Sequence, residues 1–209
     1  MAPLQRPLKG YDFRQILPSP LPLPAKEKSV LLVIDLQDSL VKAMERETIE
    51  RVIERISLLV KVAKRLEIPI IWTEQYPKGL KETVEPLKTL LKEANAKYVE
   101  KIEFSCMLSE TFRDIIKALP HSLNTFVITG IETHVCILQT AVDMYINDET
   151  FNIYVPIDAT CSRRSSDFDS AIEFMRSNGI GVLSSEAIIF SWLEKAGTPE
   201  FKDVLSIVK

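Results

Sequence analysis

The segment Ser29-Val-Leu-Leu-Val-Ile-Asp35 is an unbroken apolar run that ends in a carboxylate. A run of this length, rich in β-branched residues, is typical of a strand that is buried on both faces. Residues 48–67 follow a different pattern, because their apolar side chains recur three or four positions apart, as on one face of a helix that ends before Pro69. A buried strand followed by an amphipathic helix indicates a βαβ unit and therefore a parallel sheet.

The same alternation of strand and helix continues to the end of the chain. Strands are predicted at residues 29–35, 68–73, 96–101, 125–130, 152–158 and 180–183. Helices are predicted at residues 48–67, 84–95, 109–119 and 135–147, from about residues 167 and 186 onward, and after Thr198. We therefore predict an α/β fold with three layers, in which a doubly wound, six-stranded parallel sheet carries helices on both faces.

Residues 1–28 differ in composition from the rest of the chain. They contain six of its twelve prolines, including the run Pro18-Ser-Pro-Leu-Pro-Leu-Pro24, which favours extended backbone. We expect a Pro-rich arm over residues 1–28 that packs on the surface or on a neighbouring subunit, and one α/β domain over residues 29–209. The basic residues in the first half of the arm leave an organellar targeting peptide as the alternative.

Composition and charge exclude several classes of protein. The 209 residues carry a formal net charge of −3, with acidic and basic residues interspersed, so we expect no nucleic-acid partner. No apolar run approaches the roughly 20 residues of a membrane span, so we expect no membrane partner. The three cysteines form an odd set without paired spacing, which argues against a disulfide framework and favours a reducing, cytoplasmic location.

In open parallel sheets, ligands bind beyond the carboxyl ends of the strands, at the point where the strand order reverses. The sequence places polar residues directly after the predicted strands. Asp35 and Gln37 follow the first strand, Lys101 closes the third, and residues 131–136 follow the fourth. Asp158 follows the fifth strand, and spacing alone does not rank it against Asp35 as the functional acid.

Cys136 lies six residues after Gly130, where the fourth strand turns into a helix. A thiol at a helix N-terminus is stabilised as the thiolate, so we expect the pKa of Cys136 to fall and the residue to act as a nucleophile. The backbone N–H groups of such a turn are available to an oxyanion. Most free cysteines are small buried hydrophobes, and that alternative stays open for Cys136. A surface role for Lys101 and a loop-capping role for Asp35 stay open in the same way.

No motif indicates a cofactor or a metal. The first strand is not followed by GxGxxG and there is no Walker A sequence, so a nucleotide would lack its phosphate-binding loop. The histidines are His121 and His134, and the cysteines lack the CxxC spacing of zinc sites. Ser39 is not in a GxSxG elbow, which argues against a serine hydrolase. We therefore expect no cofactor and no metal.

Three segments together resemble a known family. They are Val33-Ile-Asp35-Leu-Gln37, Lys101-Ile-Glu-Phe104-Ser105 and Gly130-Ile-Glu-Thr-His-Val-Cys136, each at the end of a predicted strand. The chain from about Ser29 to its C-terminus resembles the isochorismatase-like cysteine hydrolases, the superfamily of nicotinamidases and N-carbamoyl amidohydrolases. The segment Thr73-Glu-Gln-Tyr-Pro-Lys-Gly79 is most similar to the branch of isochorismatase-domain-containing proteins.

The resemblance implies a Rossmann-like strand order and gives roles to three residues. Asp35 is then the general base, Lys101 its charged neighbour and Cys136 the nucleophile. The resemblance also implies a cis peptide bond between Ile131 and Glu132, which directs the backbone N–H of Glu132, beside that of Cys136, toward an oxyanion. Members of the family are commonly homo-oligomers, so a homo-oligomer is expected here.

Four residues are candidates for the substrate pocket: Gln37, Trp72, Tyr76 and Phe104. Core packing is the alternative for Trp72 and Phe104, and a hydrogen bond to loop backbone is the alternative for Gln37. The chain departs from nicotinamidases in the segment Glu74-Gln-Tyr76, which has no histidine for their metal site. It departs from isochorismate-cleaving enzymes in having Cys136. Neither nicotinamide nor isochorismate is therefore the expected substrate.

Together with these residues, the resemblance implies a hydrolase that cleaves a C–N bond of a small amide or ureido compound through a thioester on Cys136. Two alternatives stay open. The first is a scaffold or interaction protein that has the fold but no catalytic activity. The second is a thiol redox protein in which Cys106 or Cys161 forms a disulfide with an oxidised Cys136.

Overall fold

The computed structural model describes residues 21–208. The expectation about the Pro-rich arm lies largely outside the described residues. Its last part, residues 21–28, lies against the domain, because the hydroxyl of Ser191 donates a hydrogen bond to the carbonyl of Pro24 at 2.8 Å. A single 3₁₀ turn at Lys26–Lys28 then leads into the first strand.

All strand pairs of the central sheet are parallel, as predicted. The strands are β1 (Ser29–Ile34), β2 (Ile70–Gln75), β3 (Lys97–Lys101), β4 (Thr125–Ile131), β5 (Asn152–Pro156), β6 (Thr160–Cys161) and β7 (Gly181–Leu183). Their order is β3-β2-β1-β4-β5-β7, with β6 paired to β4. This confirms the Rossmann-like order. The two-residue strand β6 was not predicted, and it forms because the loop after β5 returns beside the end of β4.

Helices cover both faces of the sheet. They are α1 (Asp38–Val41), α2 (Arg46–Arg65), α3 (Pro77–Leu80), α4 (Leu87–Glu93), α5 (Glu110–Lys117), α6 (Leu138–Asn147), α7 (Ser165–Ser177), α8 (Ser185–Leu193) and α9 (Pro199–Val208). A π-helical turn at Thr133–Ile137 precedes α6, so the helix predicted at residues 135–147 has an irregular start. Among the helices of the described residues, none is long and apolar enough to cross a membrane.

The core consists of two apolar layers, one on each side of the sheet. Leu31 and Val33 of β1 face the layer formed with α2, α4, α8 and α9. Leu32 and Ile34 face the opposite layer, formed with α5, α6 and α7. Because successive side chains of a strand point to opposite faces, an unbroken apolar run is what a doubly covered strand requires. Each fully buried aliphatic side chain contributes about 1.5–3 kcal/mol of transfer free energy.

The strand order reverses between β1 and β4, which places the carboxyl ends of these two neighbours in one crevice. Their backbones approach closely there. Gly130 has a φ of +120°, and a Cβ at this position would lie 2.0 Å from the carbonyl oxygen of Ile34. Only glycine fits, because both the conformation and the contact exclude a side chain.

We expect Gly130→Ala to destabilise the protein by about 3 kcal/mol, the sum of positive-φ strain and a clash with backbone that cannot move aside. Gly197→Ala is the matched control, since Gly197 also has a positive φ, +86°, but no heavy atom lies within 4 Å of the added Cβ. It should cost about 1–2 kcal/mol. Urea unfolding measures both values, and equal losses would contradict the close approach of β1 and β4.

Candidate active site

Asp35 follows β1 and its side chain is fully buried. Two donors hold its carboxylate. The hydroxyl of Thr73 on β2 donates to Oδ1 at 2.6 Å, and the ammonium of Lys101 donates to Oδ2 at 2.7 Å. A buried carboxylate is tolerated only when it is paired and hydrogen-bonded, and both conditions are met here.

Lys101 ends β3, and its side chain is also fully buried, which excludes the surface role. Its Nζ lies 2.7 Å from Asp35, 3.1 Å from the carbonyl oxygen of Glu103 and 3.8 Å from the Sγ of Cys136. Burial lowers the pKa of Lys101, but the Asp35 carboxylate, followed by Cys106 and Cys136, raises it by more, so that the pKa lies above its usual value. The ammonium is therefore a fixed positive charge between the carboxylate and the thiol.

Cys136 lies in the π-helical turn after β4, and only 3% of its surface is exposed. Its thiol donates to the Oε1 of Gln75 at 3.4 Å. Burial, followed by the Asp35 carboxylate, raises the pKa of Cys136, and Lys101 lowers it by less. The expectation of a lowered pKa was therefore wrong in direction, because desolvation outweighs the helix N-terminus. At neutral pH the resting residue is a thiol.

Gln37 is fully buried and does not belong to the pocket, so this expectation was also wrong. Its Oε1 accepts from the backbone N–H of Gln75 at 2.8 Å, and its Nε2 donates to the carbonyls of Gln75 and Lys81 at 2.9 and 2.6 Å. All these contacts tie the end of β2 to the following loop. Gln75 was missed by the sequence reasoning, although it directly follows Glu74 at a strand end.

The thiol opens into a cleft of about 580 Å³. Tyr76 and Phe104 both line it, and each is 54% exposed, so Phe104 does not pack in the core. Other walls are apolar: Leu40, Leu80, Ile102 and Val135. Trp72 is excluded, because it is buried in the core with its ring 4.7 Å from that of Tyr98. Trp72 does not line the cleft, which corrects its placement in the pocket.

Glu132 and Arg163 form the polar side of the cleft. The peptide bond between Ile131 and Glu132 is cis, as the resemblance implied. The carboxylate of Glu132 accepts from the backbone N–H of Arg163 at 3.0 Å and from its guanidinium Nε at 3.1 Å. Arg163 was not expected in the site, and no sequence signal distinguishes it from Arg164.

The remaining candidates have structural partners. Asp158 accepts from the backbone N–H and the hydroxyl of Ser185 at 2.7 and 2.6 Å, so it fixes the start of α8, whereas Asp35 lies beside the thiol. Cys106 and Cys161 are buried, free thiols that do not line the cleft, and burial raises the pKa of each to about 12.

The metal site of nicotinamidases is not reproduced here. Glu74, which stands after β2, accepts from the backbone N–H of Thr83 at 2.6 Å and from the hydroxyl of Tyr98 at 3.0 Å. Both oxygens of its carboxylate are thus engaged within the protein. Over residues 21–208, no group of three or more His, Cys, Asp and Glu side chains is placed to hold a metal ion.

Fold and site together define an α/β protein with a buried Asp–Lys pair beside a thiol at the strand crossover. Residues 29–187 match the family model of the isochorismatase domain. Isochorismatase family protein 1B of Dictyostelium discoideum is 33% identical over 186 residues, covering 88% of this chain and 87% of the relative. The chain therefore belongs to the isochorismatase family, and its fold is that of this hydrolase family.

Solved structures have the same fold. The structure of the MAR1 ribonuclease from Caenorhabditis elegans has a TM-score of 0.78 and 32% sequence identity, and covers 90% of this chain and 92% of that one. The nicotinamidase SaPncA from Staphylococcus aureus has a TM-score of 0.63 with 17% identity, over 74% of this chain and 98% of that chain. At that identity the second comparison supports the fold alone.

We expect Cys136 to form its thiolate only well above the roughly 8.5 of a free cysteine. Replacing Asp35 by Asn removes a negative charge and should lower the pKa of Cys136, whereas Lys101→Met removes a positive charge and should raise it further. Absorbance near 240 nm, with the Cys136→Ala signal subtracted, follows the titration. A wild-type thiolate below pH 8 would contradict the direction given by burial and Asp35.

Proposed function

We propose that this chain is a cysteine amidohydrolase that cleaves a C–N bond of a small amide or ureido substrate through a thioester on Cys136. One observation carries the proposal: the thiol of Cys136 lines the cleft, and the buried ammonium of Lys101 lies 3.8 Å from this thiol and 2.7 Å from the carboxylate of Asp35. This arrangement supplies a nucleophile and a base to the same substrate carbonyl.

In the first half of the reaction, the thiol proton of Cys136 passes to Asp35 as Sγ attacks the carbonyl carbon of the substrate. Because the resting residue is a thiol, proton transfer accompanies the attack. The tetrahedral intermediate collapses, the C–N bond breaks, and Asp35 returns the proton to the departing nitrogen. An acyl or carbamoyl thioester remains on Cys136.

In the second half, a water molecule enters the position that the amine has left. Asp35 takes a proton from this water as its oxygen attacks the thioester carbonyl, and the C–S bond breaks. The product acid leaves, and the proton held by Asp35 returns to Sγ. Lys101 stays protonated throughout and stabilises each state in which Asp35 or Cys136 carries a negative charge.

The backbone N–H groups of Glu132 and Cys136 are the proposed donors to the oxyanion. Both residues line the cleft, and the cis peptide bond precedes Glu132. A donor of this kind contributes about 3 kcal/mol to stabilisation of a tetrahedral intermediate. The ion pair between Glu132 and Arg163 would fix this turn and position its N–H groups.

The walls of the cleft favour a substrate with an apolar body attached to its amide or ureido group. Tyr76 and Phe104 line the cleft together with four aliphatic side chains. Nicotinamide is not proposed as the substrate. In the segment where nicotinamidases have their metal site, the carboxylate of Glu74 already accepts hydrogen bonds from Thr83 and Tyr98. RNA is not proposed either. Among the described residues that line the cleft, the cation is Arg163, which is paired with Glu132.

The alternative functions have less support. A thiol redox role needs a reactive resolving thiolate, but burial raises the pKa of Cys106 and of Cys161 to about 12, so both stay protonated and poorly nucleophilic at neutral pH. An idle scaffold has no need of a buried ion pair, which is costly to desolvate and is often replaceable by apolar residues without loss of stability.

Three further expectations belong to the proposal. The division into a Pro-rich arm over residues 1–28 and a hydrolase domain over residues 29–209 stays a prediction. So do the homo-oligomer implied by the family and the cytoplasmic location inferred from the cysteine count.

Hydrolysis of a panel of aryl and alkyl amides and ureides tests the proposal. We expect Cys136→Ala to abolish turnover and Asp35→Asn to lower kcat by about 10³-fold or more, since it removes the base. Intact-mass spectrometry of quenched reactions should find the thioester in wild type and not in Cys136→Ala.

Cys106→Ala is the matched control, because Cys106 is an equally buried thiol outside the cleft lining. It should retain turnover within about threefold, because Cys106 lies near Lys101 as a protonated thiol but does not line the cleft in which the substrate binds. If Cys136→Ala turns over like wild type, or if wild type consumes no member of the panel, the amidohydrolase assignment is wrong.

A further inference from the structure

A second cavity, of about 700 Å³, lies next to the active-site cleft and is larger than it. Its walls are the first half of α2, the segment between β5 and α7, and the first turn of α7. Cys136, Asp35 and Lys101 do not line it, and the proposed reaction gives it no role. Arg163 lines both cavities.

Positive charge dominates one wall of this cavity. Arg51 and Arg55 stand one turn apart on α2, and Arg163 also lines the cavity, although its guanidinium is paired with Glu132. Within residues 21–208, no ion pair joins Arg51 or Arg55 to a carboxylate, and the hydrogen bond of Arg51 is to the carbonyl of Glu47 in its own helix. Two like charges four residues apart destabilise a helix, so this pair has no evident structural benefit.

The acids that line the cavity are engaged elsewhere. The carboxylate of Glu45 caps α2 by accepting from the backbone N–H groups of Glu47 and Thr48. Asp158 accepts from Ser185 at the start of α8. The hydrogen bonds to Thr48 and Glu47 lower the pKa of Glu45 more than the charge of Arg51 does. Among the described residues neither carboxylate forms an ion pair with Arg51 or Arg55, so the guanidinium groups are available to an external anion.

The rest of the lining is amphipathic. Val52, Ile157 and Phe168 supply an apolar surface, while Thr48 and Ser165 supply hydroxyl groups. Guanidinium groups bind planar carboxylates and phosphates through paired hydrogen bonds, and an aromatic ring covers an apolar body. The lining thus matches one chemical class, an anionic oxygen group carried on a small apolar body.

We propose that this cavity is a second binding site, which takes a small organic anion with its carboxylate or phosphate on Arg51 and Arg55 and its apolar part on Phe168. The site is independent of the thiol chemistry. Binding there does not require that Cys136 be a nucleophile, so the two proposals fail or stand separately.

Isothermal titration calorimetry of the full chain with phenyl phosphate, benzoate and benzyl alcohol tests the site. At least one anion should bind with a submillimolar Kd, and neutral benzyl alcohol should bind at least about tenfold more weakly. Whichever anion binds more tightly identifies phosphate or carboxylate as the preferred group. Binding should weaken as salt is raised.

The variant Arg51→Gln/Arg55→Gln should weaken anion binding at least about tenfold, whereas the charge-preserving Arg51→Lys/Arg55→Lys should lose less. Arg46→Gln is the matched control, because Arg46 is on the same helix, pairs with Glu50 and does not line the cavity. It should change Kd less than about twofold.

Three results would overturn the proposal. One is the absence of anion binding in wild type, and another is equal affinity for benzyl alcohol, which would make the cavity merely apolar. The third is unchanged anion affinity in the Gln and Lys double variants. Light scattering is run alongside, since a fall in assembly mass in the Gln variant, without an effect on Kd, would assign the arginines to a subunit contact instead.

Discussion

The ion pair between Asp35 and Lys101 is the interaction on which the site depends. Each side chain is fully buried, and the Nζ of Lys101 lies 2.7 Å from the Oδ2 of Asp35, so that each charge is paired with the opposite one. Removing either group leaves an uncompensated charge in a medium of low polarity. The pair also spans three strands, since Asp35 follows β1, Lys101 ends β3 and Thr73 on the intervening β2 donates to the same carboxylate. The site therefore requires this strand order, because the order brings Asp35, Thr73 and Lys101 together.

The pair also contributes to the charge state of the thiol. Burial is the main cause that raises the pKa of Cys136, Asp35 raises it further, and Lys101 opposes both. The balance leaves a neutral thiol beside a carboxylate that is held in place by two donors. Under the proposed mechanism, the charge separates only when a substrate carbonyl is present to accept the sulfur, and the ammonium is already placed to stabilise that change.

Much of the fold followed from the sequence, because the apolar run of β1 and the helical period of α2 each have one physical explanation. The grouping of Asp35, Lys101 and Cys136 followed too, since carboxyl ends of parallel strands share one edge. The direction in which Gln37 and Trp72 point did not follow. Strands buried on both faces show no alternation that distinguishes the sides, and loops fix where each side chain ends.

The direction of the shift in the pKa of Cys136 could not be predicted from the sequence, for a different reason. A helix N-terminus is visible as a pattern, but the extent of desolvation is a property of the packed structure. Arg163 and β6 illustrate the same limit, because both depend on how the loop after β5 returns to β4. The local pattern of the sequence predicts helices and strands, whereas the charge state of a buried side chain depends on contacts between residues that are far apart in the sequence.

A double-mutant cycle in the free energy of unfolding tests the buried pair most directly, with Asp35→Asn, Lys101→Met and the double variant measured by urea denaturation. Each single change should cost about 3–5 kcal/mol, because it leaves a buried charge alone, and the double variant should cost at least about 2 kcal/mol less than the sum. Additive losses would mean that the two charges do not stabilise each other, and the buried ion pair would no longer explain the site.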